Sequence, residues 1–589
     1  MKSFLKLVFA TVIGFFLAIF LLFTFFAGVG SASGGKVKTV EPNSILHLEL
    51  KGDFPDLPVA DPFDFDPFSG DFNTEAPMGV FELKEMLEHA AKDDKIKGIL
   101  LNTDRVVAMP ANAHEIRRAL LAFKKSKKFI YAYSNSLSEQ SVMLNAVADK
   151  SYLNPMGIVE FNGLSTEIMY YTGLFEKLKI KPMIFYAGEF KSATEPYRLK
   201  AMSPENRLQI EAFLNGIYDN YLSALSEEIK KSPDSLRVLA NNLDVFMAED
   251  AMKYGLVDGL KYEDELEAEL KSKLGYKEND KLKLVSAGDY KKSYKTDKQE
   301  KSKNKIGVVY AEGNIVDGKG KNGEIGGEKY AKLISKLRMD KEIKAIVIRV
   351  NSPGGSAFAS EQILREIKLA KKEKPVVISM GNLAASGGYY ISTAADKIVA
   401  EPTTITGSIG VFGMFFNVGD ALNSNLGLTF DRAKTSQYAD FGSATRPWDE
   451  KENAKMTAMI QRTYSIFLNH VAEGRKMKVE DVDKIARGRV WLGQDALKIG
   501  LVDTLGSIQT AIDEAAKLAK LEKYELAKYP KIKNPFEAFM DMISGNKEDE
   551  MARMAQEIFG EDYQYYLQLI QMKKMEGVQA ILPYTVHFK

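Results

Sequence analysis

Cysteine is absent from all 589 residues. Its absence excludes thiol nucleophiles, disulfides and every zinc site built on thiolates. Histidine is scarce: the five are His47, His89, His114, His470 and His587. None belongs to a recognisable base motif and no HExxH stretch occurs, so neither a histidine-activated nucleophile nor a metalloprotease is supported. Excess charge of one sign is also missing, with 80 Lys and Arg against 79 Asp and Glu. The lysine-rich runs alternate with acidic residues as solvated helix faces do, and nucleic acid is not expected as a partner.

Two loops that imitate ligand sites fail on inspection. GNIVDGKG, from Gly313 to Gly320, follows a strand-like run as a phosphate loop would, but ends in glycine where the magnesium-binding hydroxyl belongs. DPFDFDPFSGD, from Asp61 to Asp71, clusters carboxylates at spacings that match no EF-hand. A mobile glycine-rich loop and a solvated acidic loop are expected, with no metal and no cofactor.

The composition that is present, 45% hydrophobic with balanced charge, suits two or more well-buried domains. Ahead of them, Lys2 and Lys6 precede an uncharged run from Leu7 to about Val29. A helix needs about 20 apolar residues to span a bilayer, so residues 1–30 are expected to be a transmembrane anchor. The apolar core of a cleaved signal peptide is usually shorter, about 7–15 residues. The flanking lysines predict a cytoplasmic N-terminus and an outward-facing remainder, which in a Gram-negative cell means the periplasm.

The remainder is written twice. KIKGILLNTD at Lys95 matches EIKAIVIRVN at Glu342, VADKSYLNP matches AADKIVAEP, and FMAEDAMKYGLVDGL matches WLGQDALKIGLVDTL. Asp149 and Asp396 give an offset of 396 − 149 = 247, and Gly255 and Gly500 give 500 − 255 = 245. A period this long indicates a duplicated domain rather than a solenoid. Strand-like runs alternate with helical patterns in each copy, which predicts an α/β fold. The first repeat is expected over 43–290, a charged linker over 291–304, the second repeat over 305–528 and an unmatched extension over 529–589. That extension is expected to hold a helix and a strand packed on a neighbouring domain or subunit.

Only the second repeat has reactive-looking loops. RVNSPGGSAF places Gly354 and Gly355 directly after a buried strand, where a Pro-Gly-Gly turn can aim N–H groups at developing negative charge. SMGNLAASGGYYIS sets Ser386 among small residues at a strand-to-helix turn, an exposed nucleophile geometry with donors at the helix start. Both loops follow adjacent predicted strands and should converge at one sheet edge. At offset 247 the first repeat has Glu139 and Gln140 opposite Ser386 and Gly387, and Val107 and Ala108 opposite Gly354 and Gly355. Glycines needed for packing alone would be kept in both copies.

A serine without a histidine needs another base. Buried lysine qualifies when desolvation lowers its pKa from about 10.4 toward neutrality, since only the free amine accepts a proton. Lys191, in FYAGEFKSATEPY, has the apolar company this requires, although composition alone does not separate it from other lysines.

Taken together and in order, NSPGGS, AASGGYY, ADKIVAEP, TGSIGV and GEFKSATEPY resemble the long, duplicated form of the bacterial signal peptide peptidase A (protease IV) family over about residues 43–525. The resemblance implies tandem Clp protease/crotonase-like α/β domains behind a transmembrane helix, with the lysine in the first repeat and the serine in the second. It implies Ser386 as nucleophile, Lys191 as general base, Gly354 and Gly387 as oxyanion donors, and Ser408 as the hydroxyl that holds the lysine amine. It further implies a bowl-like homo-oligomer, a tetramer in this family, that degrades remnant signal peptides and other hydrophobic peptides. An extended substrate is expected to pair with the strand near SIGVFG. A non-proteolytic membrane-anchored scaffold is the competing class, and a crotonase-like thioester enzyme is disfavoured by the export-type N-terminus. FKSATEPY and FGSATRPW match at 441 − 190 = 251, against flanking offsets near 247, and in neither register does the second repeat carry a lysine opposite Lys191.

Overall fold

Strands that read as continuous apolar runs, such as AIVIRV and VVISM, are buried on both faces, as parallel strands covered by helices must be. In the computed structural model, which describes residues 40–52, 54–56, 58, 78–294, 302–531 and 577–581, they build two parallel sheets. The first runs in the order Gly259–Leu260, Lys150–Leu153, Phe129–Ser134, Ile96–Val106, Ser44–Gly52, Leu284–Ser286. The second repeats this plan around Lys305–Glu312, Ile343–Ser352 and Val376–Ala385. Glu525–Tyr529 lies at one edge, and Ile405–Gly407 with antiparallel Val490–Leu492 at the other. Amphipathic helices cover the sheets; in Ala357–Lys371 the buried residues Ile363, Leu364, Ile367 and Ala370 recur at helical spacing.

The two repeats are joined by structure that belongs to neither alone. Lys181–Ala187 of the first pairs antiparallel with Val411–Asn417 of the second over seven residue pairs. Arg349, fully buried in the second sheet, donates to Asp56 at 2.9 Å and to Glu115 at 2.8 Å, both from the first repeat. Arg118 reaches back to the buried Glu401 at 2.8 Å. Burial pushes the Glu115 carboxyl up to about 7 against the opposing pull of Arg349. Removing one partner of such a buried set leaves an uncompensated charge and costs about 3–5 kcal/mol, so the network fixes how the repeats meet.

The stretch YKKSYKTDKQEKSKNK begins as helix, not linker. Ala287–Tyr294 is helical, with Tyr290 fully buried and its hydroxyl 2.9 Å from His89 Nδ1. Tyr294, one turn on, stacks on the same histidine at 4.2 Å. The proposed anchor and the acidic loop at 61–71 lie outside the described residues. Among the described residues no helix is long and apolar enough to cross a membrane, and no group of His, Asp and Glu has metal-site geometry.

Candidate active site

Ile343–Ser352 and Val376–Ala385 are neighbouring strands, with Ser352 paired to Ala384, so the loops that follow them converge at one sheet end. Ser386 caps the helix Gly387–Ser392 with φ 54° and ψ −113°, a strained conformation for a residue with a side chain. Its N–H donates to Gly407 O at 2.8 Å and its carbonyl accepts the first helical bond from Tyr390, which locks the turn on both sides. Gly388 permits the close approach: a Cβ there would lie 2.7 Å from Ser352 O. At the first helical position, the Gly387 N–H has no acceptor within its helix. The Gly354 N–H, by contrast, already donates to Ser352 Oγ at 3.1 Å, and an oxyanion would have to share or replace that bond.

Lys191 arrives from the first repeat. The strand Lys181–Ala187 carries the chain along Val411–Asn417, and Gly188, at φ +103°, turns it against the backbone of Arg487. Phe190 N–H donates to Arg487 O at 2.9 Å. Gln209 holds the loop from the other side, donating to Phe190 O and Ser192 Oγ while accepting from Val490 N–H. The result puts Lys191 Nζ 2.9 Å from Ser386 Oγ, 3.0 Å from Ser408 Oγ and 3.2 Å from Ser408 O. All three residues are wholly inaccessible.

Burial alone holds the Lys191 amine well below the ordinary lysine range, with no charged neighbour contributing. The hydrogen-bond inventory fits the neutral form. A free amine has two N–H donors and one lone pair, and two acceptors on Ser408 leave the lone pair for the Ser386 hydroxyl. Ser408 is fixed in turn, at φ 49°, by its N–H bond to Arg489 O at 2.7 Å.

The first repeat's equivalent loops are closed. The helix Glu139–Asn145 starts 387 − 139 = 248 residues before Gly387–Ser392, which puts Ser138, not Glu139, at the cap opposite Ser386. This moves the register by one residue at the cap alone: the helices end in step, 392 − 145 = 247, so the first repeat's helix is one residue longer at its start. Ser138 is extended, at φ −81°, and its hydroxyl accepts from Ser141 N–H as an ordinary helix cap. Glu139 binds Gly163 N–H, and burial pushes its carboxyl up to about 7. Gln140 hydrogen-bonds both backbone groups of Ala108, the residue that corresponds to Gly355 at offset 247, and so ties that backbone down.

None of the described histidines joins the site. His47 lies near Glu49, His89 packs on Tyr290, and His470 contacts Glu361; burial and nearby Arg118 and Arg117 lower His114 to about 4. Sequence reasoning missed Gln209 and Gly488. A Cβ on Gly488, at φ +81°, would lie 2.6 Å from both N and Cβ of Lys191. A GRV sequence after a helix gives no hint of that contact.

Comparison with known proteins places this geometry. Peptidase family S49 matches residues 122–277 and again 368–522, and the Clp protease family matches residues 297–404. Protease 4 of Salmonella typhi is 37% identical over 79% of this chain and 76% of its own. Protease 4 of Haemophilus influenzae is 36% identical over 75% of this chain and 73% of its own. The chloroplastic serine protease SPPA of Arabidopsis thaliana is 31% identical over 92% of this chain and 78% of its own.

Proposed function

The chain belongs to peptidase family S49 and is a serine peptidase with a duplicated Clp protease-like α/β fold; on that premise we propose that Ser386 and Lys191 are its catalytic dyad. The observation that carries this is the 2.9 Å approach of Lys191 Nζ to Ser386 Oγ, with no histidine among the described residues at the site. The neutral amine takes the Ser386 proton as Oγ attacks a peptide carbonyl. Gly387 N–H, joined by Gly354 N–H as it turns from Ser352 Oγ, stabilises the tetrahedral oxyanion. The lysine then protonates the leaving amine, and the acyl-enzyme is hydrolysed by water that loses its proton to the same amine. Ser408 does no chemistry; it holds two N–H groups so that the lone pair faces Ser386.

The substrates proposed are remnant signal peptides and other hydrophobic segments, cut by an enzyme tethered through residues 1–30 with its catalytic domains in the periplasm. The apolar N-terminal run and the likeness to the family support this. A homo-oligomer is proposed from the repeat itself. The helices before the two segments end in the left-handed residues Lys179 and Gly427, 427 − 179 = 248, so the junction between Lys181–Ala187 and Val411–Asn417 has counterparts at 181 + 248 = 429 and 411 − 247 = 164, namely residues 429–435 and 164–170. Neither counterpart belongs to a sheet, and Met169 and Phe430 are exposed. Pairing 429–435 of one copy with 164–170 of the next repeats the internal junction between chains, a heterologous contact of the kind that makes a ring when its rotation closes.

The deciding experiment is labelling with a serine-directed fluorophosphonate followed by peptide mapping. Modification at Ser386, lost in Lys191→Ala, is expected; modification elsewhere, or none, rejects the dyad.

A further inference from the structure

The strand Gly577–Ile581 lies outside both repeats, yet it is inserted between two segments that border the catalytic serine. On one side it pairs antiparallel with Gly354–Ser356, setting Ile581 opposite Gly354, Ala580 opposite Gly355 and Gln579 opposite Ser356. On the other it pairs antiparallel with the start of Val411–Asn417, setting Gln579 opposite Phe412 and Val578 opposite Gly413. Gly354 is a proposed oxyanion donor, and Val411 follows Ser408 by three residues. The slot is one strand wide, since flanking strands on either side of a middle strand stand about 9.5 Å apart. Main-chain ladder bonds on both edges are how an extended peptide is recognised by an open sheet.

The direction of the inserted strand is informative. From Gln579 opposite Ser356 to Ile581 opposite Gly354, the chain advances toward the Gly354 amide and the Ser386 turn. A substrate bound with this polarity would present its acyl side, with the attacked carbonyl at or just beyond the position of Ile581. Building on the peptidase reading above, we propose that Gly577–Ile581 is an intramolecular pseudosubstrate: it fills the acyl side of the groove and must leave before a peptide is cut. The extension after the second repeat thereby sets the fraction of molecules open to substrate, and apparent affinity falls by that fraction.

The test uses the full chain carrying Gln579→Pro. Gln579 faces partners on both edges, and proline there removes its N–H and is not tolerated in a middle strand. With an open fraction of about one in ten, KM for a fluorogenic apolar peptide should fall about tenfold with kcat unchanged. Fluorophosphonate labelling of Ser386 should accelerate by the same factor. Acetyl-GVQAI-amide added in trans should inhibit the variant competitively. Equal KM and equal labelling rates in the two proteins, with matching circular dichroism, overturn the pseudosubstrate alone. Labelling of Ser386 in neither protein overturns the dyad and this inference with it. Loss of the C-terminal residues in the intact mass of the wild type but not of Ser386→Ala makes the segment a substrate, and also overturns the proposal.

Discussion

Lys191 and Ser386 stand 195 positions apart in the chain, on different repeats, and their side chains meet at 2.9 Å. The first repeat keeps a serine, Ser138, at the equivalent cap but not the strained turn, and the second has no lysine opposite Lys191. If this pair is the dyad, Ser386→Ala and Lys191→Ala each lower kcat/KM for peptide hydrolysis by about 10⁴-fold or more while the fold persists. Lys191→Arg is expected to be equally inactive, because a guanidinium cannot give up its proton to become a base. Activity within tenfold of wild type in a purified Lys191→Arg sample would reject lysine as the base.

The pH profile follows from burial. Desolvation holds Lys191 below the ordinary lysine range, and only its neutral form is a base, so kcat/KM rises with pH through one ionisation and then levels. Stability carries the same sign. In the unfolded chain the lysine binds a proton up to about pH 10.4, whereas the folded protein has released it above its lowered pKa. Between the two, stability therefore rises by up to about 1.4 kcal/mol per pH unit from this group. Lys191→Met removes the dependence, so its stability gain over wild type in urea unfolding should be larger at neutral pH and shrink as pH rises toward 10. A gain that does not change with pH refutes a neutral buried amine.

Gly488 tests whether the base is held in place from outside its own loop. A methyl group there would fall 2.6 Å from Lys191 N and Cβ, on a backbone at φ +81°. Gly488→Ala should displace the amine by a fraction of an ångström to an ångström. Such misplacement can cost about 10²-fold in kcat, with KM little changed. A variant with wild-type kcat would show that the loop positions the lysine by itself.

What could be read in advance divides along physical lines. Repetition, buried parallel strands and the two glycine-bearing loops are local patterns, and the convergence of those loops followed from strand adjacency. Ser386 stood out because small residues surround it at a strand-to-helix turn. Lys191 did not stand out, since its burial is made by segments far away in sequence, around Ser386, Ser408 and Arg487; the family resemblance supplied it. Gly488 was invisible for the same reason. The shift that puts Ser138 opposite Ser386 was hidden because it is confined to the helix start, while the helix ends keep the flanking offset, 392 − 145 = 247. Lysines masked the helix at Ala287–Tyr294, where Ala287, Tyr290 and Tyr294 face the core. A strand was expected in the extension and Gly577–Ile581 is one, but where it packs gave no signal, because its partners lie more than 150 residues away.

Assembly can be tested without touching the dyad. The internal pair Phe416 and Pro182 maps onto Met169 (416 − 247) and Phe430 (182 + 248), both exposed. In a ring these two face each other across the junction between copies. Phe430 is 42% exposed in the single chain, so Phe430→Asp should change its own folding stability by no more than about 0.5 kcal/mol. Across a junction the same change buries a carboxylate against Met169, which is strongly unfavourable. Sedimentation velocity should therefore show the wild type as a multiple of the chain mass and Phe430→Asp as a single chain. Adding Met169→Lys to that variant places an opposite charge across the junction and should restore the larger species. Because Lys191 and Ser386 meet within one chain, the single-chain form should still label with fluorophosphonate at Ser386. An assembly unaffected by Phe430→Asp would mean that copies of the chain meet elsewhere.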